Sequence, residues 1–173
     1  MKKIFLFMLP VMALSLASCE KNNGDNGELS GDDVIEFKDA NFLKALLVVQ
    51  ETSIYDDETG DWIPYTMDVD VNKDGAITVN EARAVIGLVF FDYDKTSFYI
   101  SEMPEIKYFT RLEYLNCDYN QLTSLDLSNN TALTELYCGG NPLTKLILPM
   151  NNRIDEVSMQ DIIEEYGDII EYR

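Results

Sequence analysis

Histidine is absent from this 173-residue chain. Without imidazole there is no Ser-His-Asp or Cys-His triad, no HExxH zinc site and no imidazole acid–base chemistry. Basic residues are scarce as well: 13 Lys and Arg stand against 31 Asp and Glu, a formal net charge of −18. Gripping nucleic-acid phosphates takes a surplus of cationic groups, so that class of partner is excluded. The longest apolar run, Ile4 to Leu16, is too short to span a bilayer comfortably. What is present is enough for a folded body. With 46% hydrophobic and 11% aromatic residues the chain can bury a core, and its length allows one ordinary domain or two small ones sharing a core.

The N-terminus carries an address. Lys2 and Lys3 precede the apolar run, which ends in Leu16-Ala17-Ser18-Cys19. That ending resembles a bacterial lipobox, which implies a signal peptide over residues 1–18, cleavage before Cys19 and lipidation of its thiol. Each buried methylene contributes about 0.8 kcal/mol, so several acyl chains anchor durably where one would not. Residues 19–33 continue as an Asn-, Gly- and Asp-rich tether. Such a segment has an r.m.s. span on the order of 20 Å, enough to lift a domain off a membrane surface.

Residues 34–87 read as a helical cap. Asp39 can open a helix running to Gln50, with Phe42, Leu43, Leu46, Leu47 and Val49 on its apolar face. Ser53-Ile54-Tyr55 and Trp62-Ile63-Pro64-Tyr65 flank the acidic stretch Asp56 to Asp61 and predict an inserted hairpin. Then comes Asp70-Val71-Asn72-Lys73-Asp74-Gly75-Ala76-Ile77-Thr78-Val79-Asn80-Glu81. This segment resembles the twelve-residue calcium loop of EF-hand and dockerin proteins. Calcium takes six to eight oxygens. Asp70, Asn72 and Asp74 offer side-chain oxygens at positions one, three and five, and Gly75 permits the bend at six. The Ala76 carbonyl serves position seven, Thr78 position nine, and Glu81 can bind with both oxygens at twelve. Calcium is therefore the expected cofactor, with an affinity of roughly 10⁻⁴–10⁻³ M, as in extracellular modules. Pro64 and the hairpin occupy the place of a regular incoming helix. An exit helix over Val79 to Val85 is expected, with Ala82, Val85 and Ile86 on one side and Gly87 as its cap.

Residues 88–173 contain a repeat of period 21. Leu112-x-x-Leu115-x-Cys117-x-x-Asn120-x-Leu122 matches Leu133-x-x-Leu136-x-Cys138-x-x-Asn141-x-Leu143, and Leu125 and Leu127 match Leu146 and Leu148. This resembles a bacterial leucine-rich repeat, in which stacked units bury a shared apolar seam that no single unit could bury alone. The asparagine falls where the chain turns, and its amide can satisfy backbone groups left unpaired there. Adding another 21 residues predicts a third strand over Ile154, Val157 and Met159, capped by a helix at Asp161 to Tyr166 and a closing strand at Ile169 to Tyr172. Upstream, Leu88 to Asp92 is the expected first strand, and Met103 to Phe109 a short helical or 3₁₀ bridge. The fold class is then α/β: a short solenoid with parallel strands, the calcium-loop segment capping its N-terminal side and residues 34–173 forming one domain. Cys117 and Cys138 would face each other about 4.8 Å apart on neighbouring strands, wider than the ~3.8 Å a disulfide prefers between Cβ atoms, so reduced core thiols are expected.

The order of these pieces resembles small leucine-rich-repeat surface lipoproteins of Gram-negative bacteria. That resemblance implies a lipid-anchored module at the outer membrane or cell surface, binding a protein or glycan and carrying no known catalytic activity. Strand positions beside the buried leucines point outward. They form three expected ladders: Tyr114, Glu135, Glu156; Asn116, Tyr137, Ser158; and Asp118, Gly139, Gln160. Tyrosines among acidic groups suit sugar stacking or a basic protein patch, although each such residue also has a plain solvated reading. Two other classes compete with this one, a two-carboxylate glycosidase-like hydrolase and a purely structural subunit of a surface assembly.

Overall fold

The computed structural model describes residues 29–48, 50–56, 61–90 and 98–173. The expected signal peptide, Cys19, most of the tether, the hairpin tip at 57–60 and the end of the first strand at 91–92 lie outside the described residues. Helix α1 (Ala40–Leu47) begins at Asp39, whose Oδ1 accepts from the N–H groups of Asn41 (2.7 Å) and Phe42 (3.3 Å). Its Oδ2 accepts from the Ser101 N–H (2.6 Å), the Ser101 hydroxyl (2.8 Å) and the Glu102 N–H (3.2 Å). One carboxylate thus caps the helix and fastens it to the segment that leads into the repeats. Burial alone would raise its pKa, but the Ser101 bonds and the bonds from Asn41 and Glu102 outweigh that and hold it below the ordinary carboxylate value.

Helix α1 stops short of the expected Gln50. Val48 is already extended (φ −82°, ψ 120°), and the β-branched pair Val48-Val49 favours the strand that follows. Strands β1 (Gln50–Asp56) and β2 (Asp61–Met67) pair antiparallel from Gln50↔Met67 to Asp56↔Asp61, which is the expected hairpin. A strand, not a helix, therefore leads into the calcium-type loop. Beyond the loop, α2 (Val79–Ala84) carries a reciprocal capping box between Thr78 and Glu81. Two expectations fail at its end. Val85, not Gly87, closes the helix, and Ile86 is exposed instead of sharing the buried side with Ala82 and Val85. Gly87 is drawn into β3 (Gly87–Val89), because pairing with a neighbouring strand satisfies its backbone better than a helix end would.

A 3₁₀ turn at Pro104–Tyr108 leads to the repeats, as the sequence predicts. There follow β4 (Tyr114–Asn116), β5 (Ser124–Asp126), β6 (Glu135–Tyr137), β7 (Lys145–Leu148), helix α3 (Glu156–Tyr166) and β8 (Ile170–Tyr172). They build two parallel sheets of order β3-β4-β6 and β5-β7-β8. Leu88, Leu115 and Leu136 stand in one register, and Leu125 and Leu146 in another. The 21-residue period is also written in the backbone: Glu113 N–H donates to Ile86 O (2.7 Å), Thr134 N–H to Glu113 O (2.8 Å) and Asp155 N–H to Thr134 O (2.8 Å).

That ladder ends at residue 155, and the expected third strand does not form. Ile154 keeps the buried place of Leu112 and Leu133, but Asp155 then caps α3 by accepting from Val157 N–H (2.9 Å) and Ser158 N–H (3.1 Å). Val157, expected in the core, is 71% exposed. The expected closing strand is present as β8, pairing with β7 through Leu146↔Ile170 and Leu148↔Tyr172.

The turn asparagines do what their position requires. Asn120 Nδ2 donates to the carbonyls of Cys117 (3.1 Å), Asp118 (3.2 Å) and Phe90 (3.3 Å), while its Oδ1 accepts from Ile100 N–H (3.0 Å). Asn141 repeats the pattern one unit later on Cys138, Cys117 and Gly139, with Leu122 N–H as its donor. Each amide stitches its own turn to the preceding coil. Phe42 of α1 meets Phe37 and Phe90 edge-on, with ring centroids 5.3 and 5.5 Å apart, so the buried side chains of the loop-bearing segment and of the repeats form one cluster. Cys117 and Cys138 lie in it as free thiols.

Candidate functional site

In the loop of residues 70–81 the side-chain oxygens fold back on the backbone. Asp70 accepts from Asp74 N–H (3.2 Å) and Gly75 N–H (2.9 Å), Asn72 Oδ1 from Asp74 N–H (3.0 Å), and Asp74 Oδ1 from Ala76 N–H (2.9 Å). Gly75 takes φ +83°, which an L side chain resists, and Lys73 sits at φ +59°. Ile77 is fully buried, as its inward place in the loop predicts. Glu81 Oε1 accepts from Val71 N–H (3.1 Å), and its Oε2 from Thr78 N–H (2.9 Å) and the Thr78 hydroxyl (2.8 Å). Asp68, just ahead of the loop, meets Lys73 at 3.7 Å. The loop does not stand alone: Ile35 N–H donates to Ile77 O (2.8 Å), Val79 N–H to Asp33 O (3.0 Å), and Val34 bridges Thr78 antiparallel. Residues 33–35 thus occupy the flank that a second loop would otherwise fill.

These donors fit calcium in kind. They are hard oxygens on Asp70, Asn72, Asp74, Ala76, Thr78 and Glu81, and the Asp70 carboxylate, which accepts one N–H per oxygen, keeps further lone pairs, while Glu81 Oε2 already accepts two bonds from Thr78. Among the described residues no three acidic side chains are gathered around one point, however, so Glu81 would have to share its oxygens with an ion.

The second candidate is the outward face of β3, β4 and β6. The structure sets Tyr114 beside Glu135 and Asn116 beside Tyr137, as expected, and extends these rows to Gly87 and Val89. The rings of Tyr114 and Tyr137 stand 5.7 Å apart at 46°. Burial pushes the Tyr114 hydroxyl up to about 12, so it stays a hydrogen-bond donor at any physiological pH. Asp118 closes the row, accepting from Gly139 N–H (2.6 Å).

The third members of the ladders are misplaced by the lost strand. Glu156 lies in the first turn of α3, Gln160 is exposed on that helix, and Ser158 is buried with its hydroxyl on Asp155 (2.6 Å). In their place α3 lays Asp161, Glu164, Glu165 and Tyr166 along the end of the face, against Asp118 and Gly139. Tyr166 pins this arrangement: its single hydroxyl proton is shared between the carbonyls of Cys138 and Asn141, each at 3.1 Å, and its oxygen accepts from Asn141 N–H (3.2 Å). The spacing of Ile162 and Tyr166, both buried with acidic residues between and beside them, was the available signal for this helix face. Cys138 borders the same end of the face, but burial, then Asp118 and Glu165, push its thiol up to about 12, which removes it as a nucleophile.

Comparison with known proteins returns a family match over the stretch that the period marks. The family described as Leucine Rich repeats (2 copies) matches residues 110–152. Among solved structures the chain is similar to an internalin from Listeria monocytogenes, at 23% identity and a TM-score of 0.38, over 75% of this chain and 35% of that one. The chain thus spans about a third of the internalin's length. No curated protein matches it. Among the described residues no helix is long and apolar enough to cross a membrane.

Proposed function

We propose that the chain is a non-catalytic interaction module whose repeat face binds a protein partner, anchored through Cys19 at the outer membrane or cell surface and braced by calcium in the loop of residues 70–81. The observation that carries the binding role is the tyrosine pair. Tyr114 and Tyr137 present two adjoining rings on an outward strand face, bordered by Asn116 and Glu135, where packing alone calls for no aromatic residue. Aromatic rings give large contact area at low entropic cost, the quality that makes them binding anchors. A double Tyr114→Ala, Tyr137→Ala variant should keep its fold but bind the partner recovered from native envelopes at least tenfold more weakly. Equal affinity of variant and wild type would remove the face from consideration. Anchoring is supported by the lipobox-like run ending at Cys19.

The brace is supported by the donor set and by the pairing of residues 33–35 with the loop. An ion that binds only the folded state stabilises by RT ln(1 + [L]/Kd), about 1.4 kcal/mol at tenfold excess over Kd. Calcium should therefore raise the melting temperature of metal-stripped protein, and magnesium much less, because its smaller octahedral shell cannot use a bidentate carboxylate well. Glu81→Gln is the informative variant. Glutamine can keep the capping box with Thr78 but not the charge, so the calcium-dependent shift should fall by more than half. Identical melting curves in calcium and in chelator would overturn the brace.

A further inference from the structure

Between the outward face of β6 and helix α3 runs a cleft of about 500 Å³. Four carboxylates, Asp118, Asp161, Glu164 and Glu165, share it with Tyr137 and Tyr166. Its floor is apolar, from Leu136 and Ile162. The carboxylates are not scattered around it. Two of them come close together beside Gly139, where a Cβ would lie 3.1 Å from Glu165 Oε2 and 3.5 Å from Asp118 Oδ1. Backbone donors already hold one oxygen of each: Gly139 N–H on Asp118 Oδ1 and Gly140 N–H on Glu165 Oε1 (3.0 Å). No ion pair found among the described residues reaches the cleft. A recess of this size with four acidic groups and, among the described residues, no ion-paired cation is complementary to a positive ligand.

We propose that this cleft receives a guanidinium group, the arginine side chain of the partner protein. The inference rests on the reading of the strand face as the partner surface, since Tyr137 belongs to both. A divalent metal is the poorer match, because no three of the acidic side chains gather around one point. A planar guanidinium, weakly hydrated and carrying five donors, can bridge two carboxylates while lying against a tyrosine ring, which a compact, strongly hydrated ammonium does less well. Asp118 also holds its proton more tightly than usual, from burial first and then from Glu165 and Asp161, and an entering cation would relieve that strain.

The probe is N-acetyl-arginine methylamide, titrated into the full chain and followed by amide NMR. Shifts should concentrate at Gly139, Gly140 and Asp161 to Glu165. Asp161→Asn and Glu165→Gln should each weaken the probe about tenfold, while Glu36→Gln, an exposed carboxylate outside the cleft, should change it less than twofold. Among the described residues the Asp161 side chain makes no hydrogen bond, so its variant tests binding even if Glu165→Gln loosens the helix. Three results would each overturn the proposal: shifts spread evenly over the acidic surface, equal binding of the uncharged citrulline analogue, or equal binding of the lysine analogue. If the probe fails while Tyr114→Ala, Tyr137→Ala still abolishes partner capture, the arginine cleft falls and the interaction face stands. If that double variant captures the partner normally, the face itself falls.

Discussion

Leu115→Asp is expected to prevent folding altogether, with no cooperative thermal transition by circular dichroism. Leu115 is fully buried in β4, in register between Leu88 of β3 and Leu136 of β6. An aspartate there either keeps an unpaired charge among leucines or takes up a proton to lose it, each at a cost of several kcal/mol. Losing the leucine's own burial adds about 1.5–3 kcal/mol. Together these approach the roughly 5–15 kcal/mol that holds a domain folded. Leu136→Asp should behave the same way. Tyr137→Ala, one residue along the same strand but half-buried, should cost on the order of 1 kcal/mol, the value of its ring contact with Tyr114. The reverse result, with Tyr137→Ala unfolded and Leu136→Asp tolerated, would mean that the strands are turned over and the proposed face is the core.

Asn120→Ala should remove on the order of 3 kcal/mol, read as a lower urea midpoint at unchanged slope. Asn120 is 1% exposed and serves four backbone groups, so its loss strands Ile100 N–H and the Phe90 carbonyl in the interior and frees the part-buried Asp118 carbonyl. Unsatisfied buried groups cost about 1–3 kcal/mol each, although Cys117 O retains a partner in Asn141. Asn129→Ala, at an exposed site on the neighbouring turn, should move the midpoint by about 0.5 kcal/mol or less. Equal effects at the two positions would show that the amide is decorative and that leucine packing alone holds the coils in register.

The leucine and asparagine positions were legible because a period of 21 repeats a physical demand: each coil needs the same apolar seam and the same stitched turn. Asp39 was legible as a cap for a similar, local reason. The second use of its carboxylate, on Ser101 and Glu102, was not, because nothing in the residues around 39 says which distant segment will lie against the helix. Extending the period to residues 154–159 failed for an instructive reason. Ile154 and the bond from Asp155 to Thr134 still obey the repeat, but Asp155 and Ser158 together also form a helix start, and the local cap prevailed over the periodic pattern. Gly87 shows the same contest resolved the other way, a glycine suited to end a helix being claimed by a sheet. The acidic cleft was the least visible feature. Asp118 and Glu165 are far apart in the chain, and they meet only because α3 folds back across the end of β6.

The pairing of residues 31–35 with the calcium-type loop also has a mechanical meaning. Tension applied from the N-terminal side enters the described fold at this strip, through Asn80 N–H on Gly31 O (2.8 Å), Val79 N–H on Asp33 O and Ile35 N–H on Ile77 O, with the Asn80 amide holding Asp32 (2.9 Å). Past Leu29, which packs against the core, the load therefore passes into the loop of residues 70–81 before it reaches the leucines of the repeats. An ion clamped across that loop would tie its two ends together and raise the force needed to peel the strip away. Pulled in calcium and in chelator, the molecule should yield first at this edge, at a force that the cation sets, while the repeat stack behind it stays intact.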